Sequence, residues 1–165
     1  MNIIFLDVDG VLLPLSGGSF NMSKSCLSNL KEILDETDAK IIFSSSWRTC
    51  KNDTALFFHE LRQADIDVDL VHDTTPDLIH LSSEFWNDDE SKFEGCDGWT
   101  GQRGHEIETW LLANLTDVDK FVILDDDPLA KQQKNWANGI FIQTDHKTGL
   151  IKENVQEAID FLNRK

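Results

Sequence analysis

Cysteine, clustered basic residues and long apolar runs are all scarce in this sequence, and each shortage excludes something. The three cysteines, Cys26, Cys50 and Cys96, are odd in number and irregularly spaced. That pattern argues against a disulfide framework or a zinc site and suits reduced thiols in a cytosolic compartment. No stretch approaches the roughly 18 apolar residues of a membrane helix. The N-terminus lacks a basic region, and Asp7 and Asp9 interrupt its apolar stretch, so no signal peptide is expected. These absences point to a cytoplasmic protein with no membrane partner. The formal net charge is −15, with no Lys/Arg cluster to offset it. Such a surface repels phosphate backbones at long range and leans away from DNA or RNA. The acidic runs at 65–69 and 87–90 read as solvated faces and loops. Repeats, linkers and low-complexity segments are missing too, and 165 residues suit one domain spanning 1–165.

What is present alternates. Residues 3–6 form a short apolar run that reads as a buried strand. Similar runs at 39–43, 68–71, 121–124 and 139–142 predict four more strands. Helical spacing predicts helices over about 23–35 (with Ser23 as N-cap), 53–64, 104–114 and 153–162, and a short one at 129–136. Strands alternating with helices imply a three-layer Rossmann-like α/β fold, a parallel sheet of about five strands with helices on both faces. Residues 79–101 read as a loop or small insertion.

The chemistry gathers at strand ends, where open α/β sheets place it. The first strand stops at Asp7-Val8-Asp9-Gly10, the second at Ser44-Ser45-Ser46-Trp47-Arg48, and the fourth at Asp125-Asp126-Asp127-Pro128. Asp7 and Asp9 are two residues apart and would share a face of a continuing strand. Like charges that close raise a pKa or demand a cation. A calcium loop counted from Asp7 would need Gly and Glu where Leu12 and Gly18 stand. Several carboxylates converging on one edge instead make a hard-oxygen site suited to Mg²⁺. A carboxylate beside such an ion can attack a phosphoryl group, whose oxygens need donors and positive charge around them.

These residues resemble a known family. Phe5-Leu6-Asp7-Val8-Asp9-Gly10-Val11-Leu12 resembles the first motif of the haloacid dehalogenase (HAD) superfamily. Ile41-Ile42-Phe43-Ser44-Ser45 is similar to its second motif, and Val122-Ile123-Leu124-Asp125-Asp126 to its fourth. Arg103 is the best match to the lone basic residue of the third motif, although Lys is commoner there, and Arg48 is its competitor. The Ser-Ser-Trp-Arg, Arg-Gly-x-Glu-Ile and Leu-Asp-Asp-Asp strings also resemble a subgroup of small HAD hydrolases, which includes HAD domains attached to RNA-repair proteins. The resemblance implies that Asp7 is the nucleophile and a Mg²⁺ ligand. It makes Asp9 the general acid and base, with its carbonyl on the metal. Ser44 would bind the transferring phosphoryl group, with Ser45 the alternative. Arg103 would neutralise Asp7 and the phosphate. Asp125 would bind Mg²⁺ directly, and Asp126 directly or through water.

Gly10, Ser45, Trp47 and Arg48 complete the set as candidate substrate contacts. Asp127 reads as a cap for the next helix, and His59, His72, His80 and His105 as surface or structural residues. HAD enzymes close their sites with inserted caps, but 11–22 and 79–101 leave room for little more than a flap or hairpin. The expectation is a minimal-cap, Mg²⁺-dependent phosphatase forming an aspartyl-phosphate on Asp7. A small molecule or phosphoprotein is the favoured substrate, and a nucleic-acid end is possible. Two rivals stand beside it: a receiver-like phospho-accepting signalling domain, and a catalytically silent HAD scaffold used for binding.

Overall fold

The strand β1, Asn2–Leu6, lies at the centre of the sheet because every side chain from Ile3 to Leu6 is apolar and fully buried. A strand covered on both faces needs this unbroken apolar run. The computed structural model describes residues 1–15, 21–78, 103–130 and 136–164 of the chain. Within them β2 (Lys40–Phe43), β3 (Val71–Thr74), β4 (Lys120–Asp125) and β5 (Gly139–Gln143) join β1 in one parallel sheet of order β3-β2-β1-β4-β5. The described residues also form four α-helices: α1 (Lys24–Thr37), α2 (Lys51–Gln63), α3 (Arg103–Ala113) and α4 (Lys152–Leu162). This is the expected Rossmann-like α/β architecture.

Alternation along the strands divides the core into two layers. Ile4, Leu6, Ile41, Phe43, Val122 and Leu124 belong to the layer that α1, α2 and α4 cover through Leu30, Phe57 and Val155. Phe43 stacks on Phe57 with ring centroids 4.2 Å apart. Ile3, Phe5, Ile42, Phe121 and Ile123 belong to the other, where α3 lays down Ile107, Trp110 and Leu111. Each such side chain, taken from water to full burial, contributes roughly 1.5–3 kcal/mol. Ser23 caps α1 as expected, accepting from the backbone N–H of Cys26.

The third strand departs from expectation. Residues 68–70 form a 3₁₀ turn, and β3 begins only at Val71. The Asp67 carboxylate accepts from Asp69 N at 3.0 Å and caps that turn, holding the chain out of the sheet for three residues. An edge strand is half-solvated, so His72, Asp73 and Thr74 serve without an apolar run. Of the helix expected over 129–136, the described part is a 3₁₀ turn at Pro128–Ala130. The expected loop or insertion at 79–101 lies outside the described residues, as do residues 16–20 of the 11–22 flap. Among the described residues no helix is long and apolar enough to cross a membrane.

All strands run the same way, so all carboxyl ends share one edge. There the ladder continues one step past the strands: Thr75 N donates to Phe43 O, Ser44 N to Leu6 O, Asp7 N to Leu124 O and Thr144 N to Asp125 O. A row of polar residues is thereby locked in register at that edge. By strand alternation Asp7, Ser44 and Asp125 follow Phe5, Ile42 and Ile123, on the face that α3 covers.

Candidate active site at the carboxyl edge of the sheet

Three carboxylates meet where β1 and β4 end. Asp7, Asp125 and Asp126 each offer an oxygen, and these lie within 4.8 Å of one another. Asp7 and Asp125 are buried. Arg103, in the first turn of α3, reaches over them: its Nη1 lies 2.8 Å from Asp7 Oδ1 and 3.3 Å from Asp125 Oδ2. The contact with Asp7 is a close ion pair rather than a directed hydrogen bond, and Asp7 Oδ1 has no hydrogen-bond donor among the described residues. Asp125 Oδ1 accepts from Asp127 N at 2.9 Å.

One arginine does not balance this much buried negative charge. Burial, with Asp7 alongside, pushes the Asp125 carboxyl from its ordinary 3.8 up to about 8, against the pull of Arg103. Burial and Asp7 raise Asp126 as well. Burial would lower the Arg103 pKa, but Asp7 and Asp125 outweigh it and raise it. Oxygen donors at this spacing, one of them buried without a donor, are a good fit for a hard divalent cation such as Mg²⁺.

After Asp7 the chain turns sharply. Val8 O accepts from the N–H groups of Val11, Leu12 and Leu13, and Gly10 sits at φ +68°. That left-handed conformation strains a residue bearing a Cβ. Thr144 Oγ1 anchors the turn from the end of β5, donating to Gly10 O at 2.8 Å. Asp9 is half-buried on the turn, and its Oδ2 accepts from Trp47 Nε1 at 2.9 Å. Burial raises the Asp9 pKa, and the Trp47 hydrogen bond draws it back only in part.

The end of β2 separates the two serines. Ser44 Oγ is buried and has no hydrogen-bond partner among the described residues. Ser45 Oγ is occupied, accepting from Trp47 N at 3.3 Å as the cap of the 3₁₀ turn Ser46–Thr49. Arg48 does not point at the carboxylates. Its Nη2 pairs with Glu106 Oε2 at 2.7 Å, and its other hydrogen bonds go to the carbonyls of Ser44, Ser45, Thr75 and Pro76. Both side chains of the pair are buried. The structure therefore brings together Asp7, Asp9, Gly10, Arg103, Asp125 and Asp126, sets Ser44 and Ser45 at the neighbouring strand end, and gives Arg48 a bracing position. His59, His72 and His105 are exposed.

Sequence reasoning passed over Glu106, Thr144 and Thr75. Glu106 holds Arg48 and accepts from Leu78 N at 3.2 Å. Thr75 Oγ1, at the end of β3, is another buried hydroxyl without a partner among the described residues. A signal for Glu106 was available, since a carboxylate flanked by Gly104 and Ile107 on the buried side of a helix needs a cationic partner.

Residues 3–155 match the family model described as the HAD domain in Swiss Army Knife RNA repair proteins. No curated protein and no solved structure matches the chain.

Proposed function

The chain belongs to the HAD domains of Swiss Army Knife RNA repair proteins, and from this premise we propose that it is a Mg²⁺-dependent phosphomonoester hydrolase that forms an aspartyl-phosphate on Asp7. The observation that carries the reading is the convergence of Asp7, Asp125 and Asp126 within 4.8 Å, with Arg103 against Asp7. Asp7, Asp125 and Asp126 would hold the ion, with the Asp9 carbonyl joining them as the family resemblance implies. Bound there, Mg²⁺ supplies positive charge to the phosphoryl oxygens and offsets the repulsion among the carboxylates.

Asp7 attacks phosphorus through a carboxylate oxygen. Arg103 and the Ser44 hydroxyl compensate charge on the phosphoryl oxygens, and Asp9 protonates the departing ester oxygen. Asp9 then takes a proton from the water that hydrolyses the acyl phosphate. The raised Asp9 pKa suits both turns of this cycle, because the group must carry a proton at one moment and release it at the next.

The family's description redirects the substrate reading from small molecules and phosphoproteins to a phosphate at a nucleic-acid end. The net charge of −15 resists long duplexes, so a terminal phosphate on a single strand is the form proposed. The same reading takes the whole chain as one domain. A panel of oligonucleotides with 3′- or 5′-phosphates, phosphopeptides and phosphorylated metabolites tests it. Release of phosphate from an oligonucleotide end, abolished by EDTA and by Asp7→Asn, is the expected result. Turnover by the Asp7→Asn variant at the wild-type rate would remove Asp7 as the nucleophile.

A further inference from the structure

Trp47 is held more firmly than a surface aromatic in a loop requires. Its backbone N–H donates to Ser45 Oγ, and its carbonyl accepts from Thr54 Oγ1 at 2.9 Å and from Cys50 N at 3.2 Å. The ring is partly buried against the core layer that α1, α2 and α4 cover. The next residue, Arg48, ties the same turn to Ser45 O at 2.7 Å and to Glu106. The outcome of this bracing is one contact: indole Nε1 donates to Asp9 Oδ2 at 2.9 Å, across 38 residues of sequence.

An indole N–H can only donate. In a protonated carboxyl the carbonyl oxygen is the better acceptor, so the indole favours the oxygen that does not carry the proton. With Oδ2 occupied in this way, the arrangement favours Oδ1 as the oxygen that carries a proton on Asp9. We propose that Trp47 is a positioning residue for proton transfer, reserving Oδ1 of Asp9 as the oxygen that exchanges protons with the leaving group and with water. This rests on the hydrolase reading above and goes beyond it.

The step balances without a further reactant. As Asp7 bonds to phosphorus and the P–O ester bond breaks, the Oδ1 proton passes to the departing oxygen, which leaves as an alcohol. Asp9 becomes a carboxylate whose Oδ2 keeps the Trp47 hydrogen bond. When water attacks the aspartyl-phosphate, its proton returns to Oδ1, and phosphate and free Asp7 are regenerated. The earlier assignment of Trp47 as a substrate contact predicts a change in binding instead.

Leaving-group dependence separates the two roles, because a general acid matters most when the leaving oxygen is a poor one. Trp47→Phe keeps an aromatic ring and removes the N–H. Benzothienylalanine at position 47 changes only the N–H to sulfur and serves if the phenylalanine variant folds poorly. The expected result is a loss in kcat of roughly 10-fold or more on an alkyl phosphate, a much smaller loss on p-nitrophenyl phosphate, and little change in KM for either. Equal losses on both substrates, or a loss confined to KM, would overturn the proposal while leaving the hydrolase reading intact. A wild-type protein that releases phosphate from neither substrate, nor from any 3′- or 5′-phosphorylated oligonucleotide, would overturn both.

Discussion

A methyl group on Gly10 would stand 2.3 Å from Cγ of Asp126 and 2.4 Å from its Oδ2. Glycine is thus required twice at this position, once for its φ of +68° and once because the Asp126 carboxyl occupies the space a side chain would need. Gly10→Ala should lose roughly 1–2 kcal/mol from the left-handed backbone alone. It should also push Asp126 away from Asp7 and Asp125. Displaced supports of metal sites commonly cost about 10- to 100-fold in metal affinity, and a loss on that scale is expected in a Mg²⁺ titration of folded Gly10→Ala protein. Unchanged affinity would show that Asp126 is dispensable to the metal.

The Asp125 carboxyl gives the metal-free protein a definite pH dependence. A carboxyl whose pKa is higher in the folded protein than in the unfolded chain favours folding while protonated. For Asp125 that contribution is complete below pH 3.8 and is lost as pH rises through about 8. Asp9, Asp126 and Glu106 are shifted in the same direction. Metal-free protein should therefore lose stability between about pH 5 and about pH 8, and Mg²⁺ should restore it by favouring the ionised forms. Melting temperatures with and without Mg²⁺ at the two ends of that window check this. The gain from Mg²⁺ should grow with pH, and a pH-independent gain would contradict the burial of Asp125 as an unneutralised acid.

Much of this site is legible in the sequence because strand ends advertise themselves. An apolar run buried on both faces has to stop somewhere, and Asp7, Ser44 and Asp125 each mark a stop. The third strand is hidden for the opposite reason. As an edge strand it carries His72, Asp73 and Thr74, and the apolar residues before it, Val68 and Leu70, belong to a turn closed by Asp67. Which partners Glu106 and Thr144 take is illegible in another way. Their partners, Arg48 and Gly10, lie far away along the chain, and no periodicity reports a contact between strand ends. The choice between Ser44 and Ser45 depends on where β2 stops and the next turn begins, the least reliable boundary in any sequence reading.

Arg48 and Glu106 form the buried ion pair that joins the end of β2, the segment after β3 and the helix bearing Arg103. Removing one partner leaves an uncompensated buried charge, which typically costs about 3–5 kcal/mol. Glu106→Ala should show a loss of that order in urea denaturation. Replacing both partners with apolar residues of similar size, Arg48→Met with Glu106→Leu, should cost less than the two single losses added together, because neither charge is stranded. Additive losses would mean that the two side chains do not act as a pair.

Ser44→Ala and Ser45→Ala should separate stability from activity in opposite ways. Ser44 Oγ is buried with no hydrogen-bond partner among the described residues, so deleting it removes a group that gained nothing on folding. Its alanine variant should be as stable as the wild type or slightly more so. Turnover should fall roughly 10- to 1000-fold, the scale for loss of one donor to a reacting phosphoryl group or oxyanion. Ser45 Oγ caps the 3₁₀ turn that carries Trp47 and Arg48. Its alanine variant should lose about 1 kcal/mol, the ordinary cost of a missing cap. It should lose activity only so far as the turn loosens its hold on Asp9. Paired melts and phosphatase assays on the two variants decide the matter. If Ser45→Ala is the stable but inactive one, the phosphoryl contact belongs to Ser45 and β2 presents its other face to the substrate.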